Sequence, residues 1–219
     1  MTHEEVAQFL TQHPDFFDLH PEVLVDVAVP HPQDGHAVSL VERQSLVLRE
    51  RIKSLELRLA DMLRHGEEND AIADRIVHWA RALLTQSDPA RLPATALDEL
   101  MRQFNVPFGA LRLWGVAPQY AGFEWSQPAG EDIVRLASSM QTPFCGSNVG
   151  FEAAAWMAAD PAAVRSLAMM PLRVGGDAKA FGLLALGSPD PDRFQITMGT
   201  AFLSRITELA SAALGRLRA

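Results

Sequence analysis

The organisation of this chain follows from one stretch, Ser39–Thr85, with the sequence SLVERQSLVLRERIKSLELRLADMLRHGEENDAIADRIVHWARALLT. Apolar residues recur in it at alternating intervals of four and three, the heptad spacing of a helix that turns one seam toward a partner helix. Ser39 and Glu42 match a capping box, which indicates where the helix begins. We therefore predict one long helix and a homodimer, with a dimer seam of seven residues: Val41, Ser45, Leu48, Ile52, Leu55, Leu59 and Met62.

The composition of this seam favours a parallel two-stranded coil. With Leu48 at position d of the heptad, Ile52 falls at position a, and this combination is typical of parallel dimers. Gly66 and Asn69 interrupt the apolar stripe, which then resumes through Ala73, Ile76, Ala80 and Leu83. The alternative is a single amphipathic helix that packs on its own domain.

Composition and charge restrict the class of protein. The 219 residues are 48% hydrophobic and carry a net charge of -8, which argues against a general nucleic-acid binder because phosphate contacts need a basic surface. A single cysteine, Cys145, excludes an intramolecular disulfide framework. The first residues lack the features of a signal peptide, and no apolar run reaches the roughly 18 residues that can cross a membrane. We expect a cytoplasmic protein with no membrane partner and no direct nucleic-acid partner.

Residues 1–37 form an acidic segment with seven carboxylates and no Lys or Arg. Two motifs, His13-Pro14-Asp15 and His20-Pro21-Glu22, each predict a short helix, because proline suits the first helical position and an acid suits the positive helix end. Histidine and carboxylate are also ordinary zinc ligands, but no two histidines here have the i, i+4 spacing of a helical metal site. We predict short helices and expect no metal and no other cofactor.

The C-terminal part of the chain alternates between helix and strand patterns. Gly109–Trp114 predicts a strand, and Tyr120–Ser126 is a weaker strand candidate. The clearest β pattern is a hairpin, in which the apolar runs Ser166–Arg173 and Ala180–Leu186 flank a glycine-rich turn. A final helix is predicted from about Thr197 to Leu217.

Several motifs resemble the DUF484 family of bacterial proteins, namely HPDFF at 13–17, VSLVERQ at 38–44, LRLW at 111–114, CG at 145–146 and FGLLALGS at 181–188. The order of strand, turn, strand and terminal helix also resembles the closing half of a GAF domain, a small-molecule sensor module. The resemblance implies an α+β fold: a GAF-like antiparallel sheet flanked by helices, preceded by a long coiled-coil-forming helix and a short helical N-terminal segment. It implies a ligand pocket on the sheet face opposite the terminal helices. We therefore expect three parts: the acidic segment (1–37), a dimerisation helix (38–86) and a GAF-like domain (87–219).

Seven residues of the GAF-like part are candidates for ligand binding: Arg112, Trp114, Trp125, Cys145, Asn148, Met170 and Arg173. The two arginines lie on strands among apolar neighbours, so either could orient an anionic ligand. The tryptophans and the methionine suit a pocket wall, which is mostly apolar. The alternatives are core packing for these apolar residues, a small buried hydrophobe for the cysteine, and structural ion pairs of the arginines with an acid such as Glu124 or Glu152.

The sequence contains no recognisable catalytic constellation. No histidine follows His78, so the GAF-like part has no Ser-His-Asp or Cys-His arrangement. No P-loop or dinucleotide-binding glycine pattern occurs. We expect a non-enzymatic regulatory or sensor protein that is dimeric through its N-terminal helix, binds a small anionic ligand and signals to a protein partner. The alternative is a ligand-free adaptor that binds its partner through the acidic segment and the coiled coil.

Overall fold

The computed structural model describes residues 2–26, 28–30, 37–175, 177–195 and 200–219, with the side chains of 24–30 and 37–42 left out. These residues fall into two units, an N-terminal unit (Met1–Glu67) and a sheet unit (Glu68–Ala219). The boundary lies inside the long helix of the sequence prediction.

The N-terminal unit begins with three short helices, α1 (His3–Gln12), α2 (Phe16–Leu19) and α3 (Pro21–Asp26). The two helices predicted from the His-Pro motifs are thereby confirmed. Their aromatic side chains contact one another in series, with ring centroids 4.5 to 5.9 Å apart, in the order His13, Phe9, Phe16 and His20. Two short strands, β1 (Ala28–Pro30) and β2 (Ala37–Ser39), pair antiparallel and lead into the long helix.

The long helix, α4, runs from Leu40 to Thr85 and confirms the single helix predicted from the heptad pattern. Along its first half the seam residues are exposed, between 55% and 71%, at Leu48, Ile52, Leu55, Leu59 and Met62. The side chain of Val41 lies outside the described residues. The continuation of the stripe behaves differently, because Ile76 and Leu83 are only 6% and 4% exposed and belong to the core of the sheet unit. One apolar stripe is therefore left uncovered in its first half and buried within its own domain in its second.

The sheet unit continues with α5 (Leu92–Phe104), β3 (Phe108–Leu113), α6 (Glu131–Ser139), β4 (Phe144–Ser147), α7 (Glu152–Met157), β5 (Ser166–Leu172), β6 (Gly182–Ser188) and α8 (Ala201–Leu214). The sheet order is β3-β6-β5-β4, and each neighbouring pair is antiparallel. The predicted hairpin is confirmed as β5 and β6, whose residues are all buried. The final helix is shorter than predicted, and residues 197–199 of that prediction lie outside the described residues.

The strand predicted at Tyr120–Ser126 is wrong. Two 3-10 turns, at Pro118–Tyr120 and Glu124–Ser126, occupy this stretch. The Ser126 hydroxyl donates to the carbonyl oxygens of Tyr120 and Phe123, at 2.6 and 2.8 Å. Such local hydrogen bonds offer the backbone an alternative to pairing as a strand. Because this stretch does not pair with β3, β3 is the last strand at its end of the sheet.

Two helical layers cover the two faces of the sheet. The end of α4, together with α5 and α8, packs on one face in a core that includes Leu111, Met170 and Leu184. Helices α6 and α7 pack on the other face around Leu167 and Leu183. The fold class predicted from the sequence, an α+β fold with an antiparallel sheet flanked by helices and preceded by a long helix, is confirmed.

We expect Trp79 to be essential for the stability of the sheet unit. Its ring is fully buried, and its indole N–H donates to the carbonyl oxygen of Ala96 in α5 at 2.8 Å. Trp79→Ala should lower the free energy of unfolding by about 3–5 kcal/mol, as measured by urea denaturation at one fixed protein concentration. Val77→Ala, in the same helix turn but 64% exposed, is the control and should change it by about 0.5 kcal/mol or less. Equal effects of the two substitutions would contradict this assignment.

Candidate functional site

Arg112 occupies a cleft at the β3 edge of the sheet. Strand β3 alternates its side chains, so Leu111 and Leu113 enter the core beneath α5 and α8 while Arg112 projects from the opposite face. Its guanidinium lies over the ring of Trp156 in α7, 5.3 Å from the ring centroid. Within the described residues, it makes no hydrogen bond and no ion pair. The cation is therefore held in place by an aromatic face while its N–H donors stay available.

The cleft has a volume of about 320 Å³ and is lined from three directions. Helix α5 contributes Pro93, Leu97 and Asp98, and the second 3-10 turn contributes Glu124 and Trp125. Strand β3 forms the floor with residues 109–112. The two carboxylates border the cleft without pairing with Arg112, so the cleft carries acidic groups on its rim and an unpaired cation inside.

The unpaired guanidinium determines what this cleft can bind. A cation–π contact is worth about 0.5–2 kcal/mol but uses none of the five guanidinium N–H donors. Those donors match the geometry of a carboxylate or phosphate, which can accept two parallel charge-assisted hydrogen bonds. The arrangement is suited to binding an anionic group rather than to acid–base chemistry.

Arg173 is placed differently from Arg112. Its Nη2 donates to the carbonyl oxygens of Ala137 and Ser138, at 3.0 and 2.9 Å, at the C-terminal end of α6. A cation at this position satisfies helix carbonyls and is favoured by the helix dipole. The predicted alternative of a structural ion pair is replaced by this contact with backbone carbonyls. Arg173 also borders a separate open groove of about 770 Å³ beside Ser204 and Thr207 of α8.

Asn148 closes the loop between β4 and α7 through four hydrogen bonds. Its Nδ2 donates to the carbonyl oxygens of Pro161 and Val164, at 3.1 and 2.8 Å. Its Oδ1 accepts from the backbone N–H groups of Gly150 and Phe151, at 3.0 and 3.2 Å. The Asn148 amide nitrogen thus donates to the connection between α7 and β5.

The other predicted ligand contacts are spread over the sheet unit. Trp125 lines the Arg112 cleft, whereas Trp114 donates its indole N–H to the carbonyl oxygen of Ala180 at 2.6 Å. Met170 is fully buried in the core. Of the seven predicted residues, Arg112 and Trp125 line this cleft, and the other five do not. A ligand-binding role for each of the seven stays a prediction.

The sheet face opposite the terminal helices, where the resemblance places a ligand, is occupied by side chains. Ile133 and Ala137 of α6 and Ala153 and Ala154 of α7 pack onto it with exposures of 3% or less. The Arg112 cleft lies at the edge of the sheet instead. Its α5 wall was absent from the predicted site, because residues 93, 98 and 112 share no spacing pattern in the sequence.

Among the described residues, no three His, Cys, Asp or Glu side chains are grouped closely enough to hold a metal ion. Nδ1 of His20 lies 3.2 Å from Oε1 of Glu22. The pKa of the Glu22 carboxyl is lowered, mainly by a backbone hydrogen bond and next by the hydrogen bond with His20. In the same part of the chain, no helix has both the length and the apolar character to cross a membrane.

The antiparallel sheet and its two helical layers give the sheet unit a GAF-like α+β fold, and a long helix precedes it. A family model described as "Protein of unknown function, DUF484" matches residues 1–219. The chain belongs to this family.

Known relatives and solved structures resemble the chain over most of its length. "Uncharacterized protein YigA" from Salmonella typhimurium strain LT2 is 26% identical over 226 residues, which cover 96% of this chain and 90% of that protein. The GAF domain from an Acinetobacter phosphoenolpyruvate-protein phosphotransferase aligns with a TM-score of 0.44 at 14% identity, over 66% of this chain and 93% of that one. A free methionine-R-sulfoxide reductase from Neisseria meningitidis aligns with a TM-score of 0.47 at 14% identity, over 66% and 88%. The two structural likenesses concern the fold alone.

We expect Cys145 to be chemically inert in the native protein. Its thiol lies on β4 with 5% exposure, and burial raises its pKa. Because the thiolate is the reactive form, alkylation at pH 8 should be at least about tenfold slower in native protein than in urea-unfolded protein. As the chain has one cysteine, mass spectrometry of iodoacetamide adducts reports on this site alone. Equal rates in the two states would contradict the placement.

Proposed function

We propose that this chain is a non-enzymatic regulatory protein, dimeric through α4, whose GAF-like unit binds an anionic ligand at Arg112. The observation that carries the proposal is the unpaired guanidinium of Arg112, half-buried against Trp156 in the edge cleft. A partly desolvated cation without hydrogen-bond partners is unfavourable, and hydrogen bonds to charged groups contribute about 1.5–3 kcal/mol each. An anionic ligand would supply the missing acceptors.

The exposed seam of α4 supports the dimeric part of the proposal. From Leu48 to Met62 the seam extends over about 21 Å, and its five apolar side chains are more than half exposed. Each such side chain contributes about 1.5–3 kcal/mol when fully buried. A second copy of α4 offers the same heptad spacing and would cover the stripe along its whole length.

The ligand-free adaptor is the second candidate, and one observation favours it. The sheet face where a GAF ligand is expected is filled by side chains of α6 and α7. In this alternative, the acidic helices α1 to α3 and the coiled coil provide the contacts with a partner. The two candidates differ in whether Arg112 binds an anion.

The dimer is tested by placing charges in the seam. Leu48→Asp combined with Leu55→Asp should abolish association at micromolar concentration, because two carboxylates would then face their own copies across the coil. Multi-angle light scattering should give twice the 24.0 kDa chain mass for the unsubstituted protein and 24.0 kDa for the variant. Leu57→Asp is the matched control for Leu55→Asp, since both leucines are about 60% exposed but Leu57 lies away from the seam. A monomeric unsubstituted protein would refute the seam.

The anion site is tested by thermal unfolding with inorganic phosphate, sulfate and citrate as probes. An anion that binds the folded state raises the melting temperature, and Arg112→Gln should weaken its apparent affinity by at least about tenfold. Arg205→Gln is the matched control, because Arg205 lies 5.8 Å from the ring centroid of Phe202 in α8, away from the cleft. Identical shifts in the two variants would favour the ligand-free adaptor.

A further inference from the structure

We propose that the ligand of the Arg112 cleft is a free α-amino acid with an apolar side chain, bound through both of its charges. This inference rests on the proposed anion site and specifies the class of its ligand. The observation that supports it is the presence of opposite charges in one small cleft, namely the guanidinium of Arg112 and the carboxylates of Asp98 and Glu124.

The two carboxylates of the cleft have no cationic partner. Within the described residues, neither Asp98 nor Glu124 forms an ion pair or a side-chain hydrogen bond. By contrast, the neighbouring Glu99 pairs with Arg102 on the same helix. Together with Arg112, the cleft therefore presents one cation and two anions that the described part of the chain leaves unpaired.

This combination of charges distinguishes between classes of ligand. A simple anion such as phosphate would pair with Arg112, but it would also bring negative charge close to two carboxylates, which is unfavourable. A simple cation would meet the guanidinium in the same way. A zwitterion avoids both conflicts, because its carboxylate accepts hydrogen bonds from the guanidinium and its ammonium donates to Asp98 or Glu124. Near pH 7, a free α-amino acid carries these two charges on a single carbon atom.

The size and the uncharged walls of the cleft favour a small ligand with an apolar side chain. The volume of about 320 Å³ lies at the lower end of the range of small-molecule pockets, about 300–1,000 Å³. Among the uncharged lining residues are Pro93 and Leu97 of α5 and the rings of Trp125 and Trp156. An apolar side chain would cover part of this surface, whereas a charged side chain would add a further charge to be paired.

The charged groups of the cleft lie on elements that the fold already holds in place. Asp98 lies within the regular helix Leu92–Phe104, and Glu124 begins a 3-10 turn. That turn is fixed by the stacking of Trp125 on Phe123, whose ring centroids are 5.2 Å apart. Groups that are positioned before binding lose little conformational freedom when the ligand arrives, so their charges can contribute to selectivity.

The test begins with thermal unfolding of the full-length protein in the presence of alanine, valine, leucine, isoleucine, methionine or phenylalanine. At least one of these amino acids should raise the melting temperature. The amino acid with the largest effect is then compared with two analogues that each lack one charge. For leucine these are isocaproate and isoamylamine, and for phenylalanine they are hydrocinnamate and phenethylamine. Isothermal titration calorimetry should give at least about tenfold tighter binding of the amino acid than of either analogue.

Substitutions in the cleft should separate the contributions of the two charges. Arg112→Gln should weaken the amino acid and its deaminated analogue alike, by at least about tenfold, because both lose the same carboxylate contact. Asp98→Asn combined with Glu124→Gln should weaken the amino acid by about fivefold but strengthen the deaminated analogue, because an attraction is lost in one case and a repulsion in the other. Glu131→Gln and Arg205→Gln, which lie outside the cleft, are the matched controls and should change neither affinity. Circular dichroism of each variant controls for loss of fold.

Each outcome decides between the two proposals. If no amino acid binds, or if the deaminated analogue binds as tightly as the amino acid, while that analogue or phosphate still depends on Arg112, the amino-acid inference is refuted and the anion site stands. If an amino acid binds with the expected dependence on the two carboxylates but equally well to Arg112→Gln, the anion site and this inference both fail. If none of the probes depends on Arg112, both are likewise refuted.

Discussion

The two central strands of the sheet unit, β5 and β6, are buried on both faces, and this double burial dictates the rest of the domain. Each strand is entirely apolar or small, so helices are required above and below the sheet. Helices α5 and α8, together with the end of α4, cover one face of the sheet, and α6 and α7 cover the other. The outer strands β3 and β4 are left as edges, and the cleft forms at one of them.

One apolar stripe on the long helix α4 lies in two different environments. At Ile76, Trp79 and Leu83 the stripe is used within the sheet unit, where the fully buried indole donates to the Ala96 carbonyl. At Leu48 to Met62 the same spacing is exposed.

The two arginines predicted as ligand contacts illustrate how environment separates identical side chains. Arg173 uses its donors on the carbonyls that end α6, so its charge has a structural role. Arg112 has an aromatic neighbour but, in the described part of the chain, no acceptor, so its hydrogen-bonding capacity remains available. The hydrogen-bond acceptors around each arginine, rather than its residue type or its position on a strand, distinguish a structural cation from a candidate binding group.

Local and periodic features were determined by the sequence itself. The His-Pro helices, the heptad helix and the β5–β6 hairpin depend on neighbours a few residues apart, so their patterns are visible along the sequence. The tertiary structure alone decided that Tyr120–Ser126 forms turns, that Ile76 and Leu83 face their own domain, and that Arg112 meets Trp156 beside α5. These outcomes depend on which distant groups compete for the same apolar surface or hydrogen bond. That competition produces no periodic pattern in the sequence.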